Sequence, residues 1–227
     1  AYQAAYRELE ALIARQGVDN RHSIVIVIPV ADSTHHLRAC IDSVLTQCRT
    51  FGYGGMRNGR YCKVRVLLAD DSADATAMKK NRRIVDAAEQ AGLSVEYFGL
   101  EQQQALLQRL RDIDLRGIVG EYPADELAHK GQGMMRNIAY LRLAELRAEA
   151  AHERLLFYTI DVDQRFAVNM PGAEDGSAIQ ALNYFDDLDR LFSDGDTQVL
   201  TGKVVGDPPV SPAVMAGNFL DDVLAFA

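Results

Sequence analysis

The clearest indication of the fold is Ser23-Ile24-Val25-Ile26-Val27-Ile28-Pro29-Val30, in which β-branched residues follow one another without a polar break. An apolar run of this kind favours a strand that is buried on both faces, as in a parallel sheet. Asp32-Ser33 comes next as a helix N-cap signal. Apolar residues then recur at helical spacing, at Leu37, Ile41, Val44 and Leu45. The opening of the chain therefore predicts a strand followed directly by a packed helix.

The same alternation continues along the chain. Further strands are predicted at residues 64–69, 93–98, 155–160 and 198–205, and helices at residues 2–15, 75–91, 101–111, 131–151 and 178–192. The Gly-rich segment 49–61 predicts a flexible loop, and the polar segment 112–128 predicts an irregular, mobile one. Strands that alternate with helices indicate an α/β domain with a mostly parallel central sheet flanked by helices.

Composition excludes several classes of protein. The 227 residues carry 24 Lys and Arg against 32 Asp and Glu, a net charge of −8. This acidic balance argues against nucleic-acid binding and against adhesion to anionic membranes, since both need a basic surface. We find no apolar run long enough for a membrane span and no signal peptide pattern. Three cysteines without paired spacing predict reduced thiols used for packing, and hence a cytoplasmic protein.

Two parts of the chain are expected. Residues 1–22 form an N-terminal helix, and residues 23–227 form one α/β domain. The sequence ends within the apolar run 223–227, where a helix would lack a polar end or a cap. We therefore expect the chain to be a piece of a longer protein.

Acidic residues follow three of the predicted strands. Because ligands of open α/β sheets bind beyond the carboxyl ends of the strands, these residues are candidates for a site. They are Asp32 after the first strand, Asp70 and Asp71 after the second, and Asp161 and Asp163 after the strand at 155–160.

Asp161 and Asp163 form an Asp-x-Asp element. In an extended segment both carboxylates point to the same side, where they could hold Mg²⁺ or Mn²⁺ together with substrate phosphates. The chain has three other such pairs, at Asp112, Asp187 and Asp194, but only this pair directly follows an apolar strand. The alternative is a turn at the strand end with a solvated carboxylate.

Two further segments suggest nucleotide binding. Asp70 and Asp71 could accept hydrogen bonds from a base or a ribose, or they could simply form a turn before a helix that Asp74 caps. The segment 130–137 starts a helix with glycines and with Lys130 and Arg136, which favours an anion at the helix N-terminus. A plain helix start with exposed basic residues is the alternative.

These segments together resemble the GT-A nucleotide-sugar glycosyltransferases of the family 2 type. Segment 23–47 resembles the opening strand, proline, turn and helix of that family. Segment 66–76 resembles its second-strand motif, 130–137 its "G...ARN" helix start, and 161–163 its metal-binding Asp-x-Asp. The matches occur in the family's order and span residues 23–163. The resemblance therefore implies that residues 23–227 are a catalytic domain with a donor-binding half at 23–163 and an acceptor-side half at 164–227. Asp32 replaces the usual Asn or Glu, and Ser72 follows the Asp pair without the usual Gly.

The resemblance implies a role for each matching residue. Pro29, Val30 and Asp32 would line the nucleotide pocket, and Asp70, with Asp71 beside it, would contact the base or ribose. Lys130 and Arg136 would approach the ribose or diphosphate. Asp161 and Asp163 would hold Mn²⁺ or Mg²⁺ at the diphosphate. Asp221 and Asp222 lie in a segment with a faint likeness to the acceptor side, and they are the candidates for a catalytic base.

The function expected is therefore the metal-dependent transfer of a sugar from a nucleoside-diphosphate sugar to an acceptor hydroxyl of unknown identity. A sugar-phosphate nucleotidyltransferase shares a related core, but it should carry a Gly-rich, Arg-containing loop after the first strand, where this chain has Pro29-Val30-Ala31-Asp32-Ser33. A non-catalytic nucleotide-sugar-binding domain is the third possibility. It would not need the intact Asp161 and Asp163 pair.

Overall fold

The computed structural model describes residues 2–120, 130–169 and 178–202. The packing of the chain divides it into two units, residues 1–193 and 194–227. The first unit contains all the described helices and strands, which are α1 (Tyr2–Gln16), β1 (Ser23–Val30), α2 (Thr34–Phe51), β2 (Met56–Arg57), β3 (Arg60–Tyr61), β4 (Val64–Asp70), α3 (Ala75–Gln90), β5 (Ser94–Phe98), α4 (Leu100–Arg109), α5 (Arg116–Val119), α6 (Gln132–Glu149), β6 (Leu155–Thr159), β7 (Val168–Asn169), β8 (Ala178–Ile179) and α7 (Tyr184–Ser193).

The central sheet has four strands in the order β5-β4-β1-β6. All three neighbouring pairs are parallel, and Val27 of β1 lies between Leu67 of β4 and Thr159 of β6. The prediction of an α/β fold with a parallel sheet is confirmed. From β1 the chain first builds outward through β4 and β5, and then returns to place β6 on the other side of β1. The order of the strands therefore reverses between β1 and β6, which is where open sheets form a ligand crevice.

Strand β1 is buried along its whole length because helices cover both faces of the sheet. Ile24, Ile26 and Ile28 pack on one face with α2 and α3, while Val25 and Val27 pack on the other with α4 and α6. Each fully buried aliphatic side chain contributes about 1.5–3 kcal/mol to folding. This two-sided burial explains why β1 has no polar face in its sequence.

The segment 49–61 is not the flexible loop that its glycines suggested. Helix α2 continues to Phe51, which is fully buried, and β2 and β3 then form an antiparallel hairpin in which Arg57 pairs with Arg60. The two residues between them, Asn58 and Gly59, have φ angles of 52° and 76°. Asn-Gly in this left-handed conformation makes the tight turn that matches the twist of a hairpin.

Three other predicted elements differ from the structure. The helix expected near residue 178 begins only at Tyr184, because Ala178–Ile179 instead pair with β7 as a short strand. Residues 198–202 are exposed and form no strand, so that prediction is wrong there, and residues 203–205 lie outside the described part. Ser33 occupies the N-cap position of α2, but it makes no side-chain capping hydrogen bond within the described chain.

The expected irregular segment 112–128 contains the short helix α5, and residues 121–128 lie outside the described part. No helix among the described residues combines the length and apolar character that crossing a membrane requires. All three cysteines are free thiols. Cys40 and Cys48 are buried packing residues, and burial raises the pKa of each thiol to about 12. Cys62 is exposed, so its assignment to packing is wrong.

Candidate functional site

The candidate site lies at the carboxyl edge of the sheet, where β1 and β6 end and α6 begins. Gly131 is the N-cap residue of α6 and has a φ of 89°, which favours glycine. A Cβ atom added at Gly131 or Gly133 would meet no described atom within 4 Å. Among the described residues, nothing therefore fills the space beside these two glycines in the first turn of α6. The backbone N–H groups of a first helical turn lack helical partners and carry the positive end of the helix dipole.

Asp161 joins the end of β6 to α6 through an ion pair. Arg136 donates from Nη2 to Asp161 Oδ1 over 2.8 Å, and the two side chains are 37% and 51% exposed. The Gln164 N–H donates to the Asp161 carbonyl at 3.0 Å, so residues 161–164 form a turn. Asp161 and Asp163 thus lie in a turn, rather than in the extended segment on which the prediction of same-side carboxylates rested.

The chemistry of Asp161 and Asp163 determines which cations they could hold. Asp161 and Asp163 are both exposed carboxylates. Within the described ranges, no group of three or more His, Cys, Asp or Glu side chains is placed to hold a metal ion. A dedicated protein cage is therefore absent from that part of the chain. Mg²⁺ commonly uses one or two carboxylates and completes its shell with water and substrate phosphates, so Asp161 and Asp163 are donors of the type that it uses.

Asp71 and Lys130 form a second, buried connection to α6. Lys130 Nζ donates to Asp71 Oδ1 over 2.6 Å, and the side chains are only 1% and 6% exposed. The backbone N–H groups of Lys130 and Gly131 also donate to the Asp71 carboxylate, at 3.2 and 3.0 Å. Asp71 therefore anchors the start of α6 to the end of β4, and the Lys130 ammonium group is held inside the protein.

Asp70 is the centre of a buried hydrogen-bond network. Its side chain accepts from the Ser72 N–H at 2.9 Å, from Asn81 Nδ2 at 3.0 Å and from the Tyr97 hydroxyl at 2.7 Å. Burial and the bond to Asp70 both raise the pKa of Tyr97. Gln103 Nε2 donates to the Asp70 carbonyl at 2.9 Å. The carboxylate thus fixes the loop after β4 from three directions.

The end of β1 is tied to this loop. Ser72 Oγ accepts from the Asp32 N–H at 2.9 Å, and the Asp74 N–H donates to Asp32 Oδ1 at 3.3 Å. Asp32 itself is exposed and has a φ of 54°. Asp74 caps α3, as the alternative interpretation of this segment expected, by accepting from the Thr76 and Ala77 N–H groups.

The remaining predicted site residues fall into two groups. Pro29 and Val30 are buried in β1, where Val30 lies opposite Asp70 and its carbonyl accepts from the Asp71 N–H at 2.8 Å. Their side chains therefore lie in the packed interior of the protein. Asp221 and Asp222 lie outside the described residues.

The sequence analysis missed the residues that hold Asp70, namely Asn81, Tyr97 and Gln103. A signal for Asn81 was present, because it occurs on the buried face of α3 between Ala77 and Ile84. A polar residue on an apolar helical stripe needs a buried partner. Tyr97 and Gln103 come from other elements, and no local pattern connects them to Asp70.

Comparison with known proteins finds no matching family model, no matching curated protein and no matching solved structure. The function is therefore inferred from the residues of the site.

Proposed function

We propose that this chain is a metal-dependent glycosyltransferase domain that takes a nucleoside-diphosphate sugar as donor. The observation that carries the proposal is the meeting of Asp161 and Arg136 at the reversal point of the strand order, beside the open first turn of α6. A half-exposed carboxylate, a guanidinium and the N–H groups of a helix N-terminus are the kinds of group that bind a metal-diphosphate.

In this proposal the diphosphate and the metal ion are held by different groups of the protein. The diphosphate would lie at the first turn of α6, where Gly131 and Gly133 leave room for it. Asp161 and Asp163 would hold Mn²⁺ or Mg²⁺ beside it. Such a cation supplies Lewis-acid neutralisation of the charge that develops on the departing diphosphate.

The residues behind the site keep these groups in position. The Asp71–Lys130 pair fixes the start of α6, and the network around Asp70 fixes the loop after β4. Both are buried, so we assign them to positioning the site rather than to direct contact with the phosphates. Preorganised donors of this kind stabilise developing charge without reorganising during the reaction.

An inverting transfer also needs a carboxylate that removes the proton of the acceptor hydroxyl. Asp221 and Asp222 are proposed for this step on the resemblance alone. A retaining transfer does not need such a base, and the proposal for the donor site is the same in either case.

Isothermal titration with UDP- and GDP-sugars, with and without Mn²⁺, tests the proposal. We expect one of them to bind with a micromolar to millimolar dissociation constant, about −8 to −4 kcal/mol, and to bind more tightly with Mn²⁺. Asp163→Ala should abolish the metal effect and leave the fold intact. The matched control is Asp196→Ala, which removes an exposed aspartate of another Asp-x-Asp pair.

Other outcomes would contradict the proposal in different ways. Unchanged metal-stimulated binding in Asp163→Ala would remove the metal assignment. Formation of a nucleoside-diphosphate sugar from a nucleoside triphosphate and a sugar phosphate, with diphosphate released from the triphosphate, would identify a nucleotidyltransferase. Tight donor binding without hydrolysis or transfer by the intact protein would favour a non-catalytic binding domain.

A further inference from the structure

We propose that Arg136 is an internal counter-ion that occupies Asp161 until a divalent cation takes the carboxylate, and that the released guanidinium then binds the phosphate of the donor. This exchange rests on the proposed function, because it assigns Asp161 to a metal. The exchange goes beyond the proposed function in that Arg136 couples the binding of the metal to the binding of the phosphate.

The ion pair has the exposure that an exchange requires. Arg136 and Asp161 are 37% and 51% exposed, so water and ions reach both side chains. The Asp71–Lys130 pair at the same edge is 1% and 6% exposed and holds structural elements together. Both ion pairs join an aspartate to a basic residue near the start of α6. Solutes can reach the Arg136–Asp161 pair, whereas the Asp71–Lys130 pair is shielded from them.

The bonding of the guanidinium is also incomplete. Arg136 donates to Asp161 through Nη2, while its Nε is buried and has no hydrogen-bond partner among the described residues. A buried donor without a partner is unfavourable. The present arrangement therefore stabilises Arg136 less than one in which a phosphate accepts from more than one of its nitrogens.

Electrostatic repulsion opposes the binding of Asp161 to Arg136 and to a divalent cation at the same time. A divalent cation on Asp161 would lie close to the guanidinium if Arg136 kept its present bond, and like charges at that distance repel. Arg136 is four residues from Gln132, where α6 begins, so it stays beside the helix N-terminus when its bond to Asp161 is lost. The released guanidinium is thus available where the diphosphate is proposed to lie.

The test measures two ligands separately in wild type, Arg136→Gln and Arg136→Lys. The first probe is Mn²⁺ alone, measured by electron paramagnetic resonance of the free ion. We expect Arg136→Gln to bind Mn²⁺ about two- to fivefold more tightly than wild type, the range of a partly exposed ion pair. The second probe is inorganic diphosphate in saturating Mg²⁺, measured by calorimetry, and we expect Arg136→Gln to bind it more weakly.

The decisive result is that Arg136→Gln binds Mn²⁺ more tightly and diphosphate more weakly than wild type. Arg147→Gln removes an exposed arginine of the same helix and is the control for net charge. Arg136→Lys keeps the charge without the planar fork, and we expect it to restore most of the competition with Mn²⁺ but only part of the diphosphate binding. Equal Mn²⁺ affinity in wild type, Arg136→Gln and Arg147→Gln would overturn the exchange.

The two proposals fail differently. If wild type binds donor and metal but Arg136→Gln changes neither, the exchange is wrong and the glycosyltransferase proposal stands. If neither wild type nor Arg136→Gln binds Mn²⁺ or diphosphate, both are wrong. Mn²⁺ binding that appears only in Arg136→Gln would support the exchange directly.

Discussion

Lys130 Nζ lies 2.6 Å from Asp71 Oδ1, with both side chains buried, so the end of β4 is joined to the start of α6 by an ion pair that solvent does not reach. The Asp71 carboxylate also accepts from the N–H groups of Lys130 and Gly131. The negative charge that a helix N-terminus attracts is therefore supplied partly by the protein itself. In the proposed function, Lys130 would act on the donor only through the position of α6.

Removing Lys130 should therefore cost stability. We expect Lys130→Met to lower the free energy of unfolding by about 3 kcal/mol, because it leaves a buried carboxylate without its cation. Urea unfolding measures this, with Lys79→Met, an exposed lysine of α3, as the control. If Lys130→Met kept wild-type stability and lost only donor binding, Lys130 would contact the ligand directly.

The network around Asp70 predicts coupled losses of stability. Tyr97→Phe should cost about 1 kcal/mol, the contribution of one hydrogen bond. Asp70→Ala should cost about 3 kcal/mol, because it leaves several buried donors unsatisfied. In the double variant Tyr97→Phe should cost less than it does alone, since its partner is gone. Additive losses in urea unfolding would show that the hydroxyl and the carboxylate act independently. Tyr140→Phe, at a tyrosine that is 52% exposed, is the control.

A matched titration separates the metal residue from the nucleoside side of the proposed site. Asp161→Ala should weaken binding of nucleoside diphosphates much more than that of monophosphates, because the metal acts on the diphosphate. Asp70→Ala should weaken both classes alike, because it displaces the loop that would meet the base or ribose. Calorimetry with UMP, UDP, GMP and GDP measures the ratios. Equal ratios for the two variants would contradict this division, and Asp70 would then be assigned to the fold alone.

The cap of α3 should give a pH-dependent contribution to stability. Hydrogen bonds from the Thr76 and Ala77 N–H groups lower the pKa of Asp74. A carboxyl group whose pKa is lower in the folded state stabilises the fold above its unfolded pKa, and this contribution is lost as the pH falls through the folded pKa. Asp74→Ala should therefore have a lower Tm than wild type at pH 7, and the difference should shrink below about pH 4.

Asp74→Asn is the matched control, because asparagine caps helices nearly as well as aspartate and does not titrate. It should stay close to wild type at pH 7 and lack the change at low pH. A Tm difference between wild type and Asp74→Ala that is the same at pH 7 and pH 3 would show that the carboxylate charge does not contribute to the cap.

The elements that the sequence predicted well are those whose signal is local. The β-branched run at residues 23–30 became β1 with the predicted boundaries, and the apolar stripe that includes Leu37 and Ile41 became the buried face of α2. Burial on both faces requires an apolar residue at every position, and a helix requires one at every third or fourth, so both patterns are visible in a short window. The Asn58-Gly59 turn also has a local sequence signal, but the other glycines of segment 49–61 favoured the prediction of a flexible loop.

Local sequence is also sufficient to place acidic residues directly after β1, β4 and β6, since this needs only the strand boundaries. Which of those charges are paired depends on contacts between distant parts of the chain. Asp71 and Lys130 are 59 residues apart, and Asp70 and Tyr97 are 27 apart. Asp70 and Tyr97 meet because β5 lies beside β4, and Asp71 meets Lys130 because α6 starts at the carboxyl edge of the sheet. The residue types determine which charges are available. Packing of the chain determines the distances between them and their burial, so that Asp161 is accessible and Asp71 is enclosed.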